Sequence, residues 1–290
     1  MDYPYPLVPI EARLEKFKNI IIKYNINYDF AFRLRALEGF EIVLILDDSS
    51  SMCSPIIDRD QSNISPFSQL PKRWDELKHV VSIVVDLASA LDPDGVDIYF
   101  LNRSPLLHVT DSSELHETFS RPPDGPTPIT RVLIEVLNIK RARVHDRKLL
   151  VLIATDGLPT DEKGLNDIDR LEKVLLNERH PSIDRIFITF IACTDDLQSV
   201  GYLNKFDKKI PNVDVLDDYR SERAEVLAVQ GKHFPFSYGD YVVKILMGSV
   251  DQWFDQLDEK KVKLSSSAEK QPHSSSRGQI SARKKSCTIS

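Results

Sequence analysis

The sequence contains no uninterrupted apolar run approaching the roughly 20 residues that a membrane-spanning helix needs. Its first segment, MDYPYPLVPIEARLEKF, has acids and prolines where a secretory signal peptide would have a basic start and a long apolar stretch. The sequence therefore argues against both a transmembrane helix and a signal peptide, and we expect a cytoplasmic protein.

Cysteine is scarce, and Cys53, Cys193 and Cys287 lie far apart. They provide neither a CxxC metal pair nor a disulfide framework, which fits a reducing compartment. The seven histidines are scattered, with no pair at metal-ligand spacing. The GxxxxGK[ST], GxSxG, HExxH and dinucleotide-binding patterns are also missing. The sequence thus lacks the common catalytic and nucleotide-binding signatures.

Charge is unevenly distributed along the chain. The net charge is −6, but residues 260–290 carry eight Lys or Arg against one Glu, which leaves −13 on the rest. An acidic body argues against non-specific nucleic-acid binding, whereas a basic tail favours an anionic surface. We therefore expect no nucleic-acid partner, and an anionic membrane surface as a partner of the tail.

Apolar runs of strand length alternate with amphipathic helical segments. The runs EIVLIL, KLLVLIA and RIFITFIAC are typical of strands buried on both faces of a parallel sheet. The pattern predicts an α/β, doubly wound, mostly parallel central sheet flanked by helices, with residues 241–257 as one closing helix. Residues 1–39 are predicted as an N-terminal helical extension, 40–257 as the α/β domain and 258–290 as a disordered basic tail.

Oxygen-bearing side chains follow two of these strands and one loop. Asp47, Ser49 and Ser51 end the segment IVLILDDSSSM, Thr127 lies in DGPTPIT, and Asp156 follows LLVLIAT. The carboxyl ends of parallel strands meet at one sheet edge, where ligands bind. Carboxylates and hydroxyls without His or Cys suit Mg²⁺ better than Zn²⁺. Each group alone also fits an ordinary turn or helix cap, so the metal hypothesis depends on their joint occurrence.

The order D-x-S-x-S, then a G-x-T-P loop, then TDG resembles the von Willebrand factor A (vWA) domain with its metal-ion-dependent adhesion site. The resemblance covers residues 40–257 and is to the intracellular eukaryotic type, through DDSSSM, RWDELK, DPDGVDIYFLN and ATDGLPTD. It implies a bound Mg²⁺ or Mn²⁺ and a protein partner whose acidic residue completes the coordination. It further implies that Ser49, Ser51 and Thr127 contact the metal through hydroxyls, and that Asp47 and Asp156 act directly or through water.

Two positions depart from the family pattern. Ser50 stands where the family often has glycine, which is tolerated if the backbone there is right-handed or extended. Pro126 replaces a glycine before Thr127, removing a backbone donor and stiffening the loop. Neither change deletes a predicted ligand.

The sequence ends in CTIS, which satisfies the C-a-a-X rule for farnesylation of Cys287. Arg283, Lys284 and Lys285 precede it and would add the second signal that stable anchoring needs. The alternative is a chance cysteine in a serine-rich tail.

These features favour a non-enzymatic, metal-dependent protein-binding module, tethered to the cytosolic face of a membrane by a farnesylated tail. One alternative is a Mg²⁺-dependent phosphatase-like enzyme of the haloacid dehalogenase type. That chemistry needs D-x-D, and the second position here is Ser49. The other alternative is a divalent-dependent lipid-binding protein of the copine type, although the chain has no room for tandem lipid-binding modules.

Overall fold

The computed structural model describes residues 10–56, 70–92 and 94–264. Within these ranges, six strands form one sheet: β1 (Glu41–Leu46), β2 (Val96–Phe100), β3 (Leu106–Val109), β4 (Leu149–Thr155), β5 (Ile186–Ala192) and β6 (Val213–Leu216). The α-helices are α1 (Ile10–Lys23), α2 (Tyr28–Leu34), α3 (Arg73–Leu91), α4 (His116–Ser120), α5 (Ile129–Lys140), α6 (Ile168–Lys173), α7 (Leu197–Val200), α8 (Leu203–Lys209), α9 (Tyr219–Gln230), α10 (Tyr238–Met247) and α11 (Gln252–Asp255). None of these described helices is long and apolar enough to cross a bilayer.

The strand order is β3-β2-β1-β4-β5-β6, with β3 antiparallel to β2 and all other neighbours parallel. The predicted α/β class with a doubly wound, mostly parallel sheet is therefore confirmed. The chain winds outward from β1 in one direction and from β4 in the other, so the order reverses between these two strands. Doubly wound sheets bind ligands in the crevice that such a reversal opens at the carboxyl ends of the strands.

Helices cover both faces of the sheet, which explains why the central strands are apolar throughout. On β1, Ile42, Leu44 and Leu46 pack into a core with α2, α3 and α10, whereas Val43 and Ile45 pack into a second core with α5, α6 and α8. Successive strand residues point to opposite faces, so a strand between two helical layers must be apolar at every position.

The two N-terminal helices pack against the α/β body. Phe30 of α2 is fully buried, and its ring makes edge-to-face contacts with Trp253 and Phe254 at centroid distances of 5.4 and 5.2 Å. From the end of α1, the Tyr24 hydroxyl donates to Asp86 of α3 at 2.6 Å. Hydrophobic burial and polar contacts therefore both attach this extension to the sheet-and-helix core.

The prediction of one closing helix over residues 241–257 is wrong. The structure ends α10 at Met247 and begins α11 at Gln252, with Asp251 capping the new helix by accepting from the Trp253 amide at 3.0 Å. An aspartate that caps a helix start interrupts the preceding helix because its side chain competes for backbone donors. The spacing of the apolar residues alone does not indicate this break.

Two elements lay outside the sequence prediction. Helix α9 is mostly polar and buries only Glu222 and Val226, so its apolar stripe is too narrow to produce a helical signal. Strand β3 is a short edge strand with three of its four residues at least partly exposed. Both elements form because tertiary contacts hold them, not because their own patterning is strong.

Candidate metal centre

Asp47 lies at the reversal point of the sheet. Its amide donates to the Ala154 carbonyl of β4 at 2.9 Å, continuing the pairing of β1 and β4 one residue beyond β1. The carboxylate is fully buried: Oδ1 accepts from the Ser49 amide at 2.9 Å and Oδ2 from the Thr155 hydroxyl at 2.6 Å. No described lysine or arginine forms an ion pair with it.

Burial raises the pKa of Asp47 to about 6, and the nearby charge of Asp156 acts in the same direction. The hydrogen bonds from Ser49 and Thr155 lower this pKa but do not outweigh the loss of hydration. A carboxylate in these surroundings is stabilised by a cation placed beside it.

Ser49 and Ser51 connect Asp47 to the end of β4. Ser49 is extended (φ −71°, ψ 164°) and leads into a 3₁₀ turn over Ser50–Cys53, which brings the two hydroxyls 3.0 Å apart. The Ser51 hydroxyl donates to Asp156 Oδ1 at 2.6 Å. Ser49 is buried whereas Ser51 is exposed, so the group opens to solvent on the Ser51 side.

Asp156 is buried directly after β4, and Arg73 forms an ion pair with it. The Arg73 Nη1 atom lies 2.7 Å from Asp156 Oδ2, and Nη2 donates to the Thr194 hydroxyl at 2.8 Å. Arg73 was not among the predicted site residues, because nothing local indicates that the first residue of α3 faces an aspartate 83 positions later.

Thr127 reaches the same edge from the loop before α5. Its carbonyl accepts from the Thr160 amide at 2.9 Å and its amide donates to the Thr160 hydroxyl at 3.2 Å, which ties this loop to the one after β4. The Thr127 hydroxyl lies 4.0 Å from where a Cβ on Gly157 would be, so it is next to the residue that follows Asp156. Thr160, like Arg73, was not among the predicted residues.

Ser50 has a backbone outside the left-handed region, so serine in place of glycine costs no strain at this position. Its hydroxyl donates to Asp124 at 2.9 Å and accepts from the Gly125 amide at 3.2 Å. Gly125 has φ +116°, and a Cβ there would lie 2.7 Å from the Asn102 side chain. Ser50 therefore fastens the Asp47 loop to the loop that carries Thr127.

Asp48 faces away from the metal candidates. Its Oδ1 accepts from the Asn102 amide at 2.8 Å, and its Oδ2 lies 2.9 Å from Arg103 Nε. Burial raises its pKa, and the Asn102 and Arg103 contacts oppose that shift. Asp48 thus joins the ends of β1 and β2.

The structure brings all five predicted ligands, Asp47, Ser49, Ser51, Thr127 and Asp156, to the carboxyl ends of β1 and β4. Adjacent ligands around Mg²⁺, each bonded at about 2.1 Å, lie about 3.0 Å apart, which matches the separation of the Ser49 and Ser51 hydroxyls. Two carboxylates and three hydroxyls also form an all-oxygen donor set for a hard cation. The residues present therefore fit a Mg²⁺ or Mn²⁺ ion.

No protein-family model matches the chain, and no curated protein matches it.

The predicted lipidation site and basic run, Cys287, Arg283, Lys284 and Lys285, lie outside the described residues. Farnesylation and membrane attachment stay predictions from the sequence.

Proposed function

We propose that this protein is a vWA-type binding module that holds Mg²⁺ or Mn²⁺ at its site and uses the ion to capture an acidic group of a partner protein. The observation that carries the proposal is the convergence of three loops at the sheet reversal, where buried Asp47 forms no ion pair with a described lysine or arginine. Ser49, Ser51 and Thr127 would supply hydroxyl ligands. Asp47 and Asp156 would supply the negative charge.

The charge of the site favours an anionic partner. Asp47 and Asp156 together balance a divalent ion, and Arg73 adds a positive charge 2.7 Å from Asp156. The loaded site would carry a net positive charge, which attracts a carboxylate. Exposed Ser51 marks the side from which that carboxylate could approach.

The first test measures thermal unfolding of the full chain in EDTA and in millimolar Mg²⁺ or Mn²⁺. A ligand that binds only the folded state at a hundredfold excess over its Kd adds about 2.7 kcal/mol of stability. We expect the metal to raise the Tm of the wild type and of Asp124→Asn, and not of Asp47→Asn. Asp124 is a suitable control because it is exposed and belongs to the same loop cluster. An equal rise in Asp47→Asn would overturn the site.

The second test concerns the partner chemistry. A random peptide library is panned against the immobilised protein in Mg²⁺ and in EDTA. We expect peptides enriched in Asp or Glu only with Mg²⁺ and only on protein with an intact Asp47. Enrichment that is independent of the metal, or that shows no preference for acids, contradicts the proposal.

A further inference from the structure

A cavity of about 390 Å³ lies beside the edge strand β6, between α8, α9 and the segment around α11. Among the described residues, six carboxylates and one ammonium group line it: Asp207, Asp214, Glu225, Asp255, Asp258 and Glu259, against Lys244. The positive charge is already engaged, because Lys244 is ion-paired with buried Glu222 and, at 2.9 Å, with Asp258. The remaining carboxylates therefore have an excess of negative charge.

Asp214 is the deepest of these carboxylates. The residue is 6 % exposed, and its Oδ2 has no hydrogen-bond partner among the described residues. A Cβ on Gly248 would lie 1.7 Å from that oxygen, so glycine at this position leaves the space that the carboxylate occupies. A buried carboxylate without a partner is costly unless a ligand compensates it.

One carboxylate oxygen from each of Asp207, Asp214 and Asp255 lies within 4.8 Å of the others. Ca²⁺ accepts roughly six to eight oxygen ligands in flexible geometry, whereas Mg²⁺ demands a near-ideal octahedron, so carboxylates from three separate elements suit Ca²⁺ better. We propose that Asp207, Asp214 and Asp255 form a second cation site, which binds Ca²⁺. The three ligands come from α8, β6 and α11, so the complete site exists only in the folded chain.

This site is separate from the proposed metal centre at Asp47. Asp214 pairs in register with Thr189 in the middle of β5, and β5 lies between it and β4. The two sites share no residue. Bound Ca²⁺ would fasten α11 to the sheet edge through Asp255 and would relieve the repulsion among the three aspartates.

The electrostatics of the group agree with this assignment. Burial raises the pKa of Asp214 to about 7; the charge of Lys244 opposes this shift, and those of Asp207 and Asp255 add to it. Burial and the surrounding acids likewise raise the pKa of Asp207 and of Asp255. Mutual repulsion of this kind is what a divalent cation neutralises.

The test is a calorimetric Ca²⁺ titration of the full chain in an Asp47→Asn background, which removes the other proposed site. In this background, Asp255→Asn removes one proposed ligand. Glu259→Gln is the control, because it also removes one negative charge but at an exposed position in the same cavity. We expect one bound Ca²⁺, an affinity at least about tenfold weaker with Asp255→Asn, and a change below about threefold with Glu259→Gln.

Asp214→Asn provides the second check. Without metal we expect it to raise the Tm, because it removes an unpartnered buried charge, and with Ca²⁺ we expect no further rise. Equal weakening by Asp255→Asn and Glu259→Gln would show diffuse attraction and overturn the site, as would the absence of Ca²⁺ binding at millimolar concentration. Failure of the Asp47 site would appear differently, as an unchanged response to Mg²⁺ in Asp47→Asn.

Discussion

Arg73 is the basic side chain that contacts a proposed metal ligand within the described part of the chain. Its guanidinium holds Asp156 Oδ2 at 2.7 Å and is itself fixed by the Thr194 hydroxyl. This contact has two opposite consequences for metal binding. It orients Asp156, and it places a positive charge next to the position of a cation.

We expect the charge effect to be the larger of the two, so Arg73→Gln should bind Mg²⁺ about three- to tenfold more tightly, since about 1.4 kcal/mol corresponds to tenfold. Glutamine can still donate a hydrogen bond to Asp156, which limits the loss of orientation. The measurement is a Mg²⁺ titration at low and high salt. Unchanged or weaker binding would mean that Arg73 acts mainly by orienting Asp156.

At the scale of elements, α10 depends on the carboxylate of Asp240 in its first turn. This carboxylate accepts from the Ser237 amide at 2.8 Å and from the Asn27 amide at 2.6 Å. It therefore caps α10 and at the same time holds the start of α2. Burial raises its pKa to about 6, against the lowering effect of these hydrogen bonds.

The raised pKa predicts how the stability of the wild type and of Asp240→Asn diverges with pH. The folded state binds the Asp240 proton more tightly than the unfolded state, so the contribution of this group to stability is largest below pH about 4 and declines as pH rises to about 6. Asp240→Asn lacks this decline. Its unfolding free energy relative to wild type should therefore increase by about 2 to 3 kcal/mol between pH about 4 and about 7.

Chemical denaturation of both proteins across this pH range measures the difference. A difference that is constant with pH would contradict the raised pKa of Asp240. The absolute stability of Asp240→Asn does not affect this test, because the test compares only how the difference in unfolding free energy between the two proteins changes with pH.

For the whole molecule, the N-terminal helices contribute to the main hydrophobic core. Phe30 is fully buried. Besides its contacts with the aromatic residues of α11, its ring centroid lies 6.2 Å from that of Phe236. Gly239 permits this packing, because a Cβ there would lie 2.3 Å from the Tyr24 carbonyl oxygen. Helices α1 and α2 therefore pack against the C-terminal part of the described chain.

Phe30→Ala should lower the free energy of unfolding by about 3 to 5 kcal/mol, because it removes a large buried ring and leaves a cavity. Phe32 is the matched control, since it lies in the same helix but is 64 % exposed, and Phe32→Ala should change stability by about 0.5 kcal/mol or less. Urea denaturation compares the two variants. Equal effects would mean that α2 is not part of the cooperative core.

The fold class was predictable because it depends on patterns that a sequence displays directly. EIVLIL and KLLVLIA are apolar at every position only because helices cover both faces of the sheet. The positions of Asp47 and Asp156 at one edge followed from parallel strands, whose carboxyl ends coincide. Helix α9 and the break after Met247 were not predictable from spacing, since packing and a capping aspartate decide them.

By itself, the sequence determined the kinds of chemical groups at the candidate metal centre and placed Asp47 and Asp156 after strands of a mostly parallel sheet. Only the tertiary structure showed that Arg73 pairs with Asp156, and that Asp207, Asp214 and Asp255 meet in one cavity. The physical reason is distance along the chain. Spacing rules describe neighbours within a helix or strand, whereas these contacts join separate elements whose arrangement is set by the packing of the two cores.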